Sequence, residues 1–513
     1  MSIPTLADYE TLTAQEDFAG IVERFEANAP YDGLPEGFLL VMNALNHLGV
    51  SKAYQALSLL EATRPLLGND PEWTYQYALS HIAVESPHRA VPYLAKIPEH
   101  KDAFARLTEI TEQIESLDVG ETSADRVLNM WKDFVKEADH IEELWKKMPA
   151  VMPKNSISRI TPPGLADELL HRLQTLFHRS IKDAIFSIEN RHPTPYFLFD
   201  MPRDKASYIL LMHMFLGLPS ELMQRWQFQL GITYTPGQHL NINELPIDSV
   251  EVWLEPMEGY EGFFRLWGYS PLLRELSAKN DLPPDVLGSL QDIFEQMVTT
   301  EVGSIAAVRT LQRITLLPEP PTDKGSSIPL AKLADELQRR GAVLDMEFTD
   351  YMDEMMAYER KPNLSPQSLR DDIVKGYISV PSMLRQWEED ITPSFDTFVD
   401  NGALPVMFAL PLRSNGLSLD PDEQLAFGEK LAEAVTELVG HGVFQKIGVA
   451  AGRDCLYVDA VLWHPNYGYR GFAQVARELG MKAVLIQPFS QHFRGAWIVK
   501  PEEVDASPAK TQN

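Results

Sequence analysis

The chain has a single cysteine, Cys455, among 513 residues. One thiol excludes an internal disulfide and cannot build a structural zinc site, and it fits a reducing compartment. Cationic side chains are also scarce: 45 Lys and Arg stand against 73 Asp and Glu, for a formal net charge of -28. That deficit disfavours nucleic-acid binding, which depends on neutralising phosphates, and adhesion to an anionic membrane. No run approaches the roughly 18 apolar residues of a membrane span. The opening MSIPTLADYETLTAQEDF has neither a basic start nor an apolar core, so no signal peptide is expected and a cytoplasmic location is. Phosphate-cradling GxxxxGK[ST], a GxGxxG turn, CxxC, HExxH, EF-hand and GxSxG spacings are all missing. No cofactor and no metal are expected, and the inventory leans away from an enzyme.

What is present is ample apolar material. Hydrophobic residues make up 44% and charged residues 23%, which suits a globular chain of about three domains. The clearest order of elements lies near the C-terminus. Leu404 to Leu412 is an apolar run bounded by Gly402 and the Ser414-Asn415-Gly416 turn, and reads as a buried strand. Asp420, Pro421 and Gly440 supply an N-cap, a first-turn proline and a C-cap for a helix between them. Lys446 to Ala451 and Cys455 to Trp463 flank Gly452-Arg453-Asp454 as a hairpin. Phe472 to Leu479 reads as a second helix and Lys482 to Gln487 as a further strand. This βαββαβ order resembles the ferredoxin-like arrangement, a likeness of fold that carries no chemistry.

At the other end, short amphipathic segments alternate with Pro and Gly from Asp17 to Leu117. Phe18, Tyr54 and His88 recur at similar places, as do Pro35-Glu36 and Pro71-Glu72. The spacing resembles tetratricopeptide-like helical repeats, an implication confined to residues 17-117. Helix pairs of this kind must stack to bury a face, and they leave a concave surface suited to protein partners. Ser123 to Met148 then carries a heptad seam of Val127, Trp131, Phe134, Ala138, Ile141, Trp145 and Met148. Leu165, Leu169, Leu173, Leu176 and Phe177 on the next helix complete an antiparallel hairpin.

The expected class is α+β. An N-terminal helical repeat-like region (1-120) and a long helical hairpin (121-180) precede one or two ferredoxin-like α/β units. The first unit (181-317) resembles the C-terminal one (402-500) in its βαββα pattern. Between them lie a Pro/Ser/Gly linker (318-327) and a helical insert (328-401), in which Tyr351 to Arg360 and Ser365 to Lys375 read as helices. A tail (501-513) follows.

The functional expectation is a non-enzymatic protein-binding module, an inhibitory or immunity-type binder or an adaptor, that captures a basic protein partner. Candidate binding carboxylates are Glu109, Glu112 and Glu115 near the end of the repeat-like region, and Asp350, Asp353 and Glu354 in the insert. No nucleic acid and no membrane partner is expected, and the chain reads as a monomer or weak homo-oligomer. The competing class is an enzyme or small-ligand sensor in the C-terminal unit, with Asp459, His464 and Tyr467 as its catalytic candidates. A solitary Glu168/His171 ExxH pair with His178 reads as a solvated helix face, and the Tyr234, His239 and Asn241 to Asn243 loop as a connection.

Overall fold

The computed structural model describes residues 5-27, 35-147, 165-182, 184-191, 194-200, 205-234, 249-257, 263-272, 284-363 and 368-500. The chain forms two compact units: residues 1-124 together with 356-513, and residues 125-355.

The first unit begins with an array of helices: α1 (Leu6–Ala14), α2 (Phe18–Glu26), α3 (Pro35–His47), α4 (Val50–Leu67), α5 (Pro71–Ala83), a 3-10 turn (Pro87–Ala90), α6 (Val91–Leu94) and α7 (Ala103–Glu115). Caps set the starts: Asp17 accepts from the Gly20 amide, and Asp70 accepts from those of Glu72 and Trp73 ahead of Pro71. None of these helices buries its apolar face alone. Val41, Met42, Leu45, Ala56, Leu60, Trp73 and Tyr77 come from three successive helices and form one core. Trp73 and Tyr77 stack at 5.0 Å, and the Trp73 indole N–H donates to Thr63 Oγ1 at 3.2 Å.

α8 (Ser123–Lys147) begins on the last two residues of the first unit's 1-124 stretch, and from Asp125 on it opens the second unit, followed by α9 (Leu165–Ser180). Cross-links pair Asp133 with Arg179, Glu137 with Arg172 and His140 with Glu168. Partner numbers fall along α9 as they rise along α8, so the hairpin is antiparallel. The buried seam is Val127, Met130, Trp131, Phe134, Ala138, Ile141 and Leu144. Trp145 is only half-buried, a correction to the strict heptad. An α-helix turns every 3.6 residues, so a straight helix drifts off a seven-residue repeat and presents Leu144 instead. Met148 lies outside the described residues.

Next come β1 (Ile185–Arg191), β2 (Thr194–Asp200), α10 (Lys205–Leu216), α11 (Ser220–Met223) and β3 (Gln227–Leu230). β1 and β2 pair antiparallel, and β2 and β3 pair parallel. In β3, Phe228 packs its ring against Phe197 of β2 at 5.2 Å. A second sheet holds β4 (Glu251–Pro256) and β5 (Phe264–Tyr269), then, after α12 (Pro284–Val302) and α13 (Ser304–Thr310), β6 (Leu311–Leu316) and β7 (Ile328–Pro329). Its order is β6-β5-β4-β7. α14 (Leu333–Arg339) and α15 (Phe348–Asp353) complete the unit. The described residues of 181-317 therefore contribute to two separate sheets, each with a parallel pair, and do not form a second ferredoxin-like sheet. Residues 318-327 are pinned within this unit: Lys324 pairs with Glu255 at 3.0 Å and lies over the Trp267 ring.

The remainder of the first unit is one sheet with helices on both faces. It contains β8 (Met356–Glu359), β9 (Ile373–Ile378), α16 (Pro381–Glu389), α17 (Pro393–Asp400), β10 (Leu404–Pro411), α18 (Leu412–Asn415), α19 (Pro421–Val439), β11 (Phe444–Gly452), β12 (Cys455–Leu462), α20 (Pro465–Glu478), β13 (Val484–Pro488) and β14 (Ala496–Val499). The order is β14-β13-β10-β12-β11-β9-β8, with every neighbouring pair antiparallel. Its centre, β13-β10-β12-β11, places the fourth, first, third and second strands of the βαββαβ run side by side, the ferredoxin-like arrangement. Residues 356-359 and 373-378, expected to be helical within the insert, extend this sheet instead. β8 alternates half-buried and exposed residues with the strand period of two, a signal too short to stand out in the sequence.

α19 and α20 cover the face carrying Leu456 and Leu462, where Phe408 and Phe472 stack at 3.7 Å. α16 and α17 lie on the opposite face, through Trp387 against Phe489 and Phe398 against Trp463. The helical array joins this module directly. Ser123 N–H donates to the Gly402 carbonyl, Ala124 N–H to that of Trp463, and Arg494 N–H to the Glu115 carboxylate.

Candidate functional site

Two places in the first unit concentrate polar groups around a concavity. One is a groove of about 330 Å³ lined by Ile82, Glu85, Pro87, Arg106, Glu109, Ile110 and Gln113. α5 and α7 build it. Ala103, Ile110 and Ile114 turn inward from α7, which leaves its other side to solvent. Glu109 pairs with Arg106 at 3.1 Å, Glu112 is exposed, and Phe104 on the same helix is 69% exposed. Glu115 accepts the Arg494 amide at 2.9 Å and so fastens the array to the sheet module. Of the second carboxylate set, Asp350 and Asp353 are exposed, whereas Glu354 is held by the Arg309 guanidinium at 2.8 Å. That ion pair keeps the Glu354 carboxyl below its ordinary range.

The second place is a buried polar centre in the sheet. Strand alternation puts Tyr457 and Asp459 of β12 on the face opposite α19 and α20. Arg370 enters from the loop before β9 with φ of 72° and a side chain 1% exposed. Its guanidinium donates to Asp459 Oδ1 at 2.6 Å and to the Tyr358 hydroxyl at 2.8 Å, and lies over the Phe489 ring. The Tyr457 hydroxyl accepts the Arg370 amide and donates to Asp372 Oδ1. Asp372 Oδ2 in turn accepts the amides of Asp454 and Cys455, closing the β11–β12 turn. Burial, and next the charge of Asp372, pushes the Cys455 thiol up to about 12, which makes it a poor nucleophile.

This arrangement corrects the acid–base trio. Asp459 is neutralised by Arg370 on one face of the sheet. His464 instead stands at the N-cap position of α20 without a side-chain capping bond, its ring 4.2 Å from that of Tyr467, and Tyr467 is 60% exposed. His464 and Tyr467 meet each other; Asp459 is committed elsewhere. Reading the sequence flagged Asp459 as a carboxylate in an apolar strand but missed Arg370, Asp372, Tyr358 and Tyr457. Arg370 sits in an ordinary polar stretch, and its partner lies 89 positions on. Glu168 is engaged by Arg172 and His140, and His178 by the Ala184 carbonyl. His239 and Asn241 to Asn243 lie outside the described residues. Among the described residues, no group of three His, Cys, Asp or Glu is placed to hold a metal ion.

A third cluster links the array to α17. Asp400 accepts from Ser86 Oγ at 2.6 Å and from the Arg89 guanidinium, while His88 Nε2 lies 3.5 Å from both Asp396 and Asp400. Burial pushes the Asp396 carboxyl up to about 7, against the opposing charge of Arg89.

Fold and site together define an α+β protein whose first unit joins a stacked helical array to an extended ferredoxin-like sheet. The chain matches no family model, no curated protein and no solved structure. No helix among the described residues is long and apolar enough to cross a membrane.

Proposed function

We propose that the protein is a binding module that captures a basic protein segment in the groove between α5 and α7. The observation that supports this most is the coincidence of that concavity with an acidic helix. Residues 101-120 carry five carboxylates against two cations, and Glu85 and Glu109 stand in the groove lining. Ile82 and Ile110 offer an apolar floor, and Phe104 a large apolar anchor on the same helix. A basic amphipathic segment complements both properties. The overall charge of -28 would speed its approach, as an inhibitory binder or an adaptor requires.

The test is affinity capture with the wild-type chain and with Glu109→Lys/Glu112→Lys, followed by stopped-flow association. The reading requires a stoichiometric basic partner that the double variant loses. Its association rate should fall steeply between about 0.01 M and 0.15 M salt, as the Debye length drops from about 30 Å to about 8 Å. Equal capture by both chains, or a flat salt dependence, overturns it.

A further inference from the structure

Beside the buried centre of the sheet lies a second cavity of about 330 Å³, lined by Arg360, Lys361, Asn363, Arg370, Asp371, Ile373, Trp387, Glu388 and Gln491. In a chain so rich in carboxylates, three cations converge here. Tyr358 ties two of them together: its ring lies beneath the Arg360 guanidinium at 5.3 Å, and its hydroxyl accepts from Arg370. Arg360 is held below its ordinary basicity chiefly by burial, and Arg370 adds like-charge repulsion.

Three carboxylates stand near these three cations, so the centre offers an anion particular donors rather than a surplus of charge. Asp459 balances Arg370 from the sheet side. Asp371 is turned to the Ser368 amide and hydroxyl, at 3.1 and 3.0 Å. Glu388 pairs with Arg360 but is 48% exposed, so it can swing into water and release that guanidinium. Lys361 is exposed and makes no ion pair among the described residues. Arg370 Nε is buried without a hydrogen-bond partner among the described residues, on a lining residue whose side chain is 1% exposed. A buried donor left unmade is costly, and a bound acceptor would remove that cost. Trp387, packed on Phe489, and Ile373 supply apolar wall.

We propose that this cavity binds a small oxyanion, the carboxylate or phosphate head of a metabolite-sized ligand. Arg360 and Lys361 grip it at the mouth, and Glu388 holds the place of the anion on Arg360 until it arrives. The volume falls at the lower end of the range for small-molecule sites and suits a compact anionic head, while the open mouth leaves the rest of the ligand in solvent. Guanidinium groups pair with carboxylate and phosphate through two parallel N–H···O bonds, a geometry Arg360 can adopt once Glu388 leaves. The site is independent of the α5–α7 groove and does not use Asp459 as an acid or base.

Isothermal titration calorimetry on the full chain at constant ionic strength tests this, with inorganic phosphate and benzoate as probes and benzyl alcohol as the uncharged control. Saturable one-site binding of at least one anion below about 10 mM is expected, with none for benzyl alcohol. Binding of phosphate alone assigns a phosphate head; binding of benzoate alone assigns a carboxylate on an apolar body. Lys361→Glu should weaken binding about tenfold or more, and because Lys361 is exposed its melting temperature should match wild type. Glu388→Gln should tighten binding, since it frees Arg360. No saturable heat from either anion, or unchanged affinity in Lys361→Glu, overturns the proposal.

Discussion

Arg370 and Asp459 form an ion pair 2.6 Å long with side chains 1% and 0% exposed. Burial pushes the Asp459 carboxyl upward, and the guanidinium opposes that push. The guanidinium keeps its own proton, and at this distance it favours the charged form of the carboxylate against burial. Such a pair contributes little net stability, because desolvating both charges offsets their attraction, but its halves cannot be separated cheaply.

The first prediction follows from that asymmetry. Asp459→Ala and Arg370→Met should each destabilise the first unit by about 3–5 kcal/mol, because each strands one buried charge. Arg370→Met/Asp459→Leu should recover much of the loss. Urea unfolding followed by tryptophan fluorescence reads all three. Additive losses in the double variant would show that the pair is not the cause.

Gly402 offers a backbone test of how the array joins the sheet. Its φ is +74°, and a Cβ there would sit 2.4 Å from the Glu121 carbonyl oxygen. Gly416 has a comparable φ of +64° with nothing within 4 Å of such a Cβ. Alanine at Gly416 should therefore cost only the left-handed conformation, about 1–2 kcal/mol. Alanine at Gly402 should cost clearly more, because the junction must open as well. Equal melting temperatures for the two variants would mean that the close approach is unimportant.

The legible parts of the fold were those where a local pattern decides the outcome. Asp420, Pro421 and Gly440 mark the ends of α19 through caps that need no distant partner. The central strands were readable because β10 and β12 are buried along nearly their whole length. β8 and β9 were not, since short half-buried strands gain their stability from the edge they join. The likeness of residues 181-317 to the C-terminal unit misled, because the order of elements does not say which strands pair. Asp459 was visible as an anomaly in an apolar strand, but its role was set by Arg370, and no local pattern links positions so far apart.

The hairpin separates two tryptophans that look equivalent in the heptad. Trp131 is 2% exposed, and its indole N–H donates to the Met214 carbonyl at 2.8 Å. Trp131→Ala should cost about 3–5 kcal/mol for the lost packing, and leaves the Met214 carbonyl without that donor. Trp145, only half-buried, should cost much less. Thermal unfolding of both variants decides between this geometry and an evenly buried seam. Matching losses would restore the strict heptad.

The last prediction concerns pH and the cluster linking the array to α17. Asp396 is faced by His88 and Arg89 from the array, and by Thr392 and Asp400 from its own segment. Burial pushes its carboxyl up to about 7, so the folded chain holds a proton there that the unfolded chain has released. The stability this proton contributes is complete below the ordinary carboxyl pKa and is lost as pH rises through about 7. His81 runs the other way: burial lowers its imidazole to about 4, so its contribution is present above about 6.5 and lost as pH falls toward 4. The two oppose each other between those limits. Asp396→Asn keeps the shape of the side chain and removes the titration. The variant should gain on wild type in melting temperature as pH rises from 5 to 8, and above pH 7 it should melt higher. The difference should shrink toward pH 4, where wild-type Asp396 is protonated in the fold. A difference that stays constant across that range would mean the Asp396 carboxyl titrates normally, and that the α17 junction is held by the Asp400 contacts alone.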